Sequence, residues 1–277
     1  MFIYVLCYSM LLNVINMPFD KGANKQGSSQ AYKALKPDLK NLKINKIHNI
    51  ENCDNNHYRN ILGDGFMACW DILNSNDFPL LIGGDHSCVI SSIFAANEYC
   101  INNKETLGVL WFDAHTDFNT METSPSGNIH GVPVSVLCGH TLPLLSFGQY
   151  LEPSQFLYYG IRDIDSLEFI RFQEFNMNSI DYNSLIDFQL FKLQKWMSNY
   201  DKIHLSFDMD CFDSKDFDCV NTPVSNGPKY EDIMTLIKYI KNSNKLMSMD
   251  LVEYNPTIKK NNTLINELLT NIFLDES

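Results

Sequence analysis

The chain has 277 residues, of which 45% are hydrophobic, so it can bury the core of one large α/β domain or two small ones. Its formal net charge is -12, and no basic run offsets it. This argues against nucleic acid or an anionic membrane surface as a partner and suits a cationic small substrate better.

The opening segment MFIYVLCYSMLLNVIN is apolar, but it lacks a basic start and a small-residue cleavage site and is short for a membrane span. We predict a buried first strand with a short extension, with a targeting segment as the alternative. Residues 23–60 are rich in Lys and Asn. We predict that they form long surface loops within one domain, residues 1–277, rather than a linker.

Five further apolar runs predict strands at 78–82, 107–113, 156–161, 203–208 and 245–253. They lack clean polar alternation, which favours strands buried on both faces of a parallel sheet. Residues 229–241 follow Pro228 and show helical apolar spacing. The alternation of strands and helices predicts a three-layer α/β domain with right-handed crossovers.

The eight cysteines are scattered and include no CxxC pair. This distribution favours reduced core thiols over a disulfide framework. We therefore predict a cytoplasmic location.

A first polar motif, GGDHS, follows the strand at 78–82 and places Asp85 and His86 on a turn. In open parallel sheets, ligands bind beyond the carboxyl ends of the strands. We therefore expect the motifs that end several strands to converge. A single histidine in such a place is more often a structural residue than a metal ligand.

A second motif, DAHTDFNT, places Asp113, His115 and Asp117 at alternate positions, so extended backbone would direct all three to one side. Carboxylates this close destabilise each other unless a cation or a proton intervenes. The pattern indicates a metal site, and an exposed acidic turn is the alternative.

A third motif, DMDCFD, repeats this spacing with Asp208 and Asp210 after the strand at 203–208. An ordinary Asp-rich loop is the alternative, and it suits Asp213, Asp216 and Asp218 better. Four carboxylates and two imidazoles without thiolate suit Mn, Mg, Fe or Zn, and the oxygen-rich balance favours Mn. Six ligands would suffice for two ions if some carboxylates bridge them.

The motifs GGDHS, DAHTD, SGNIHG, SFDMD and MDLVEYNP resemble, in order and over about the last 200 residues, those of the arginases of the ureohydrolase family. The resemblance implies a three-layer αβα fold with a mostly parallel sheet of about eight strands. It also implies two Mn(II) ions. The family's reaction is attack of a metal-bridging hydroxide on the guanidinium carbon of L-arginine, which gives L-ornithine and urea.

By this resemblance, the ligands of one ion would be His86, Asp113, Asp117 and Asp208, and those of the other Asp113, His115, Asp208 and Asp210. Asp117 would also carry a proton toward the leaving amine. Glu253 would pair with the guanidinium, although a buried salt-bridged Glu is the alternative. His130 would shuttle protons, and Thr222 would lie close to the metals.

Five further positions match residues that bind the amino-acid end of the substrate. By the resemblance, Asn119, Ser126 and Asn128 would bind the α-carboxylate, and Asp165 and Glu168 the α-amino group. A polar loop pair and a helix N-cap with a first-turn acid are the alternatives. Together they favour L-arginine over agmatine, which lacks the carboxylate that these groups would otherwise leave unpaired.

The sequence also departs from the family. Cys211 and Asn221 stand where glycines are usual, so we expect a reshaped loop beside the metals. The chain ends without the longer tail of some arginases, which leaves the homotrimer common in the family open. The alternatives are an agmatinase or another ureohydrolase of a guanidino substrate, a catalytically impaired relative that acts as a regulatory or binding subunit, and a metallophosphoesterase, whose motif order does not match.

Overall fold

A computed structural model describes residues 11–51, 53 and 57–274, and its central element is an eight-stranded sheet. The strands are β1 (Leu12–Met17), β2 (Ile44–Asn49), β3 (Phe78–Gly83), β4 (Leu107–Phe112), β5 (Phe156–Tyr159), β6 (Asn178–Ile180), β7 (Lys202–Asp208) and β8 (Leu246–Val252). Their spatial order is β2-β1-β3-β8-β7-β4-β5-β6, and every pairing in the sheet is parallel. The four central strands are therefore β3, β8, β7 and β4.

Helices cover both faces of this sheet. They are α1 (Ala31–Leu35), α2 (Tyr58–Asn74), α3 (Val89–Asn102), α4 (Pro133–Leu137), α5 (Ser166–Glu174), α6 (Ile186–Met197), α7 (Tyr230–Asn242) and α8 (Thr263–Phe273). One hydrophobic core contains residues of α1, α6, α7 and α8, and the other contains residues of α2, α3, α4 and α5. This confirms the predicted three-layer αβα fold with its parallel sheet.

The predicted strands and helix agree with the structure to within about two residues, but the sequence missed β2 and β6. The prediction of long surface loops over residues 23–60 was wrong in part, because this stretch contains α1, β2 and the start of α2. β2 is an edge strand whose side chains are mostly exposed, so it lacks the apolar run that identified the central strands. β6 has only three residues.

The predicted first strand begins at Leu12, and residues 1–10 of the apolar opening lie outside the described residues. The seven cysteines in the described ranges are buried, as predicted for core side chains, and Cys7 lies outside those ranges. Within the described part of the chain, no helix is long and apolar enough to span a membrane.

Candidate metal centre and substrate pocket

The predicted metal ligands lie at or just beyond the carboxyl ends of three of the four central strands, β3, β4 and β7. His86 follows β3, Asp113 and His115 follow β4, and Asp208 ends β7 with Asp210 just beyond it. Because all strands of the sheet are parallel, their carboxyl ends lie along one edge of it. The predicted convergence of the motifs is therefore present.

The turn that carries His86 depends on the preceding glycine. A Cβ on Gly84 would lie 2.0 Å from the backbone oxygen of Phe19, so no side chain fits there. Asp85 caps the following 3-10 turn, because its Oδ1 accepts a hydrogen bond of 2.9 Å from the backbone N of Ser87. The imidazole is thereby directed to the edge of the sheet.

The His86 ring faces three carboxylates. Its Nδ1 lies 3.0 Å from Oδ2 of Asp113, 3.0 Å from Oδ2 of Asp117 and 3.1 Å from Oδ2 of Asp208. This Nδ1 is nevertheless buried and has no hydrogen-bond partner with good geometry among the described residues. The four atoms lie close together without facing one another directly, as expected of ligands around a common metal ion.

A second cluster surrounds His115. Its Nδ1 lies 3.1 Å from Oδ2 of Asp210 and 3.4 Å from Oδ1 of Asp113. Thr222 donates a hydrogen bond of 3.2 Å to Oδ2 of Asp210, which places it beside the cluster.

Two compact sets of donor atoms result, each with all its atoms within 4.8 Å of one another: His86, Asp113 and Asp208, and Asp113, His115 and Asp210. Asp113 belongs to both sets. Asp208 belongs only to the first, and Asp117 reaches the site through its contact with His86. The arrangement has one potential bridging carboxylate in place, with a second close by.

The buried carboxylates of the site repel one another, and a bound cation would relieve this repulsion. Burial and the like charges of Asp210 and Asp113 raise the pKa of Asp208 well above its ordinary value. Burial opposes ionisation of Asp113 too, but hydrogen bonds with His115 and His86 lower its pKa. Buried carboxylates that repel one another in this way are the usual setting of a cation. The oxygen and nitrogen donors fit Mn(II).

Two side chains that the sequence analysis missed hold His86 and Asp113 in place. The Trp111 ring stacks on the His86 ring with 4.3 Å between centroids, and its Nε1 donates to Oδ2 of Asp113 at 2.9 Å. Oγ of Ser206 lies 3.0 Å from Nε2 of His86. Each residue precedes a ligand by two positions on its strand, so period-2 spacing could have identified both.

Glu253 follows β8 and joins the cluster to His130. Its Oε1 accepts a hydrogen bond of 3.0 Å from the backbone N of His86 and lies 3.1 Å from Nδ1 of His130. Its Oε2 is buried and has no hydrogen-bond partner in the described ranges. Burial lowers the pKa of His130, but the hydrogen bond with Glu253 raises it to about 9.

Two of these acids have left-handed backbone, which is unusual for residues other than glycine. The φ angle is 47° at Asp117 and 63° at Glu253. Such conformations persist where the surrounding structure fixes them, and they concentrate at functional sites.

A cavity of about 270 Å³ opens over the cluster. Of the predicted site residues, its walls include His86, His115, Asp117, Asn119, Ser126, His130, Asp165, Glu168, Asp208, Asp210, Thr222 and Glu253. Asp113 lies behind this wall and is fully buried. Asn128 does not line the cavity, and its backbone N donates to Oγ of Ser126 at 3.2 Å.

The residues predicted to bind the amino-acid end of the substrate make structural contacts. Asp165 is the N-cap of α5, and its Oδ2 accepts a 2.7 Å hydrogen bond from Nδ2 of Asn119. Oε1 of Glu168 accepts hydrogen bonds from the backbone N of Phe118 at 2.7 Å and of Asn119 at 3.2 Å. Burial raises the pKa of Glu168 to about 7.

The segment between β5 and α5 contributes two residues that were not predicted. Asp163 lines the cavity, with its Oδ2 3.6 Å from Nε2 of His115. The Arg162 guanidinium donates to six backbone oxygens, including those of Asp210 at 2.8 Å and Val224 at 2.9 Å. It thereby ties the Asp210 loop to β5. Asp163 could have been found from its place in the motif GIRDID, whereas Arg162 acts through contacts that no spacing reveals.

Cys211 and Asn221, the two departures from the family's usual glycines, both lack the positive φ that would require glycine. The Cys211 side chain is fully buried, with its Sγ 3.6 Å from the backbone oxygen of Tyr159. Neither position is therefore strained by its side chain.

The fold and the site define a class of α/β proteins that hold a histidine and carboxylate cluster at the carboxyl edge of a parallel sheet. A model of the arginase family matches residues 12–274. The chain belongs to the arginase family.

Individual relatives agree with this assignment. An arginase of Staphylococcus aureus is 36% identical over 198 residues, which cover 69% of this chain and 64% of that relative, less than two thirds of its length. An arginase of Bacillus subtilis is 30% identical over 91% of this chain and 92% of its own length. The crystal structure of an Entamoeba histolytica arginase in complex with L-ornithine superimposes with a TM-score of 0.86, at 29% identity, over 96% of this chain and 100% of that one.

Proposed function

We propose that this protein acts as an arginase, which hydrolyses L-arginine to L-ornithine and urea with two Mn(II) ions. The observation that carries the proposal is that Asp113 belongs to two donor clusters, each with its own histidine, directly beneath a polar cavity. The arginase names of the relatives support the same activity.

One ion would be held by His86, Asp113, Asp117 and Asp208, and the other by Asp113, His115, Asp208 and Asp210. When bound, the ions would supply a nucleophile near neutral pH by lowering the pKa of water. Trp111 and Ser206 fix the orientation of the His86 ring.

The unpartnered Oε2 of Glu253 supports a role for this side chain in binding the guanidinium group. A guanidinium presents a planar set of N–H donors that pairs with a carboxylate, and the pairing is strong where water is excluded. Glu253 is 2% exposed. Its Oε1 is already engaged by His86 and His130, so Oε2 remains for the substrate.

Protons would be handled by His130 and Asp117. The pKa of about 9 keeps His130 protonated at neutral pH, and since its Nδ1 faces Glu253, its Nε2 remains to shuttle protons. Asp117 also lines the cavity and would accept a proton from the attacking group and carry it toward the leaving amine.

The amino-acid end of the substrate would lie at the rim of the cavity. Asn119, Ser126 and Asn128 would bind the α-carboxylate, and Asp165 and Glu168 the α-amino group. Agmatine lacks the carboxylate and would leave the first group of donors unpaired.

A urea-release assay on the Mn(II)-loaded protein, with metal content measured in the same sample, tests this proposal. We expect urea from L-arginine and only weak release from agmatine. Comparable or greater release from agmatine would identify an agmatinase. Full metal occupancy without urea from either compound would identify a binding subunit, and hydrolysis of a generic phosphate ester would point to a phosphoesterase. Sedimentation of the same sample decides whether the protein forms a trimer.

A further inference from the structure

The left-handed turn at Glu253 needs support from its surroundings. Backbone with φ 63° is disfavoured for a residue that carries a Cβ. The turn makes one backbone hydrogen bond to the neighbouring strand end, from the N of Glu253 to the O of Gly84 at 2.8 Å. Other contacts that fix this conformation come from Asn255, two residues further along.

The side chain of Asn255 uses its full hydrogen-bonding capacity. Its Nδ2 donates to Oδ1 of Asn221 at 2.7 Å and to the backbone O of Gln26 at 3.1 Å. Its Oδ1 accepts from the backbone N of Thr257 at 3.0 Å and from the hydroxyl of the same residue at 2.6 Å. The residue is 1% exposed, so losing these partners would leave a buried amide unsatisfied.

Asn221 provides the other half of this contact. Its Nδ2 donates to the backbone O of Lys25 at 3.1 Å, and its own backbone O accepts from Nζ of Lys25 at 2.7 Å. It is 3% exposed and directly precedes Thr222, which donates to Asp210. A glycine, which is usual at this position in the resembled family, has no side-chain amide and could make neither of these side-chain contacts.

The loop held by these amides also contacts the opposite side of the cavity. The backbone N of Gly22 donates to Oδ2 of Asp85 at 2.6 Å, and the backbone O of Gly22 accepts from the N of His130 at 3.2 Å. The loop at residues 22–26 therefore lies between the Asn221–Asn255 pair and His130.

We propose that Asn221 and Asn255 form a buried amide pair that holds the turn at Glu253 and thereby aims its carboxylate into the cavity. Both are positioning residues, since neither lines the cavity. The kinetic consequence rests on the proposed function, because it assumes that Glu253 pairs with the guanidinium. The structural consequence is that the turn at Glu253 opens without the pair, and this does not depend on the proposed function.

Hydrogen–deuterium exchange on the full-length, Mn(II)-loaded protein tests the structural part. The variants are Asn221→Gly, which introduces the family's usual residue and should fold, and Asn255→Ala. Asn97→Ala is the matched control, because Asn97 is also buried and its Nδ2 donates to a backbone oxygen, that of Gln149, at 3.0 Å. We expect the amides of His86 and Glu253 to exchange about 10-fold faster in both variants and at the wild-type rate in the control. Unchanged exchange would overturn the proposal.

Kinetics on the same samples test the positioning part. We expect kcat/KM for L-arginine to fall about 10-fold in the variants, since small displacements of a binding group are costly. Inhibition by L-ornithine, which lacks the guanidinium, should not change, and neither should metal content. Faster exchange with unaltered kcat/KM would overturn the positioning role. If the wild-type protein releases no urea, the proposed function is wrong. The exchange rates then test by themselves whether the amide pair holds the turn at Glu253.

Discussion

The floor and the rim of the cavity are built differently. The floor residues Asp113, Asp208 and Asp210 are at most 2% exposed and extend from the ends of central strands. The rim residue Ser126 is exposed and lies on the connection between β4 and α4. Rigid strand ends fix the metal ligands, whereas loops determine the fit of the substrate. Changes at the two levels should therefore have different effects.

The largest effect is expected at the floor. Asp113→Asn preserves the shape of the side chain but removes the negative charge that the two clusters share. We expect kcat/KM for L-arginine to fall more than about 100-fold and the metal content to drop, because loss of a ligand should cost more than loss of an outer-shell partner. Metal analysis and urea assays measure both. Asp216→Asn is the control, since Asp216 is exposed on the loop after β7. Full metal content in Asp113→Asn would contradict the site.

Metal removal should have the next largest effect, and it should reach the stability of the fold. Without cations, four buried carboxylates repel one another beside the two histidines. Ions at about 1,000 times their dissociation constant contribute about 4 kcal/mol, so chelation should lower the Tm by several degrees. Calorimetry with and without chelator measures this. A Tm that does not respond to Mn(II) would argue that the floor binds no ion.

Glu168 lines the cavity at its rim but is buried like the metal ligands of the floor. Because burial raises its pKa from 4.5 to about 7, the unfolded chain ionises this group first as the pH rises. Its contribution to stability is therefore lost between pH 4.5 and pH 7 and stays lost above it. In metal-free protein, the free energy of unfolding should fall from pH 5 to pH 8 in the wild type. We expect this fall to be smaller in Glu168→Gln, by at most about 3 kcal/mol. Denaturant titrations at both pH values decide, and identical pH profiles for the variant and the wild type would refute the shift.

The smallest effect is expected at Asn119. Asn119→Ala removes a donor proposed for the α-carboxylate and its 2.7 Å hydrogen bond to Asp165. We expect KM for L-arginine to rise about 10-fold, with kcat little changed, because the lost contact is made equally in the ground state and the transition state. Steady-state urea assays measure the split. A fall in kcat with unchanged KM would place Asn119 among the catalytic groups instead.

The contrast between floor and rim also explains what the sequence could predict. Asp113 and Asp208 end apolar strands, so hydrophobic pattern and period-2 spacing predicted both their element and their direction. Strand β2 was not predicted because an exposed edge strand carries no apolar run. The role of Arg162 was not predicted for another reason. Its six acceptors are backbone oxygens, four of them from residues 210–212 and 224 and one from Ser225, and only the folded chain brings them together.

The stacking of Trp111 on His86, with its hydrogen bond to Asp113, gives the protein an internal optical reporter. The chain has only three tryptophans, and Trp111 alone makes these contacts with the metal cluster. Since indole emission depends on the charge and polarity next to the ring, we expect a change in the charge around Asp113 to alter the fluorescence of Trp111. Binding of a cation at the centre should then be measurable in the unmodified protein, without substrate or label.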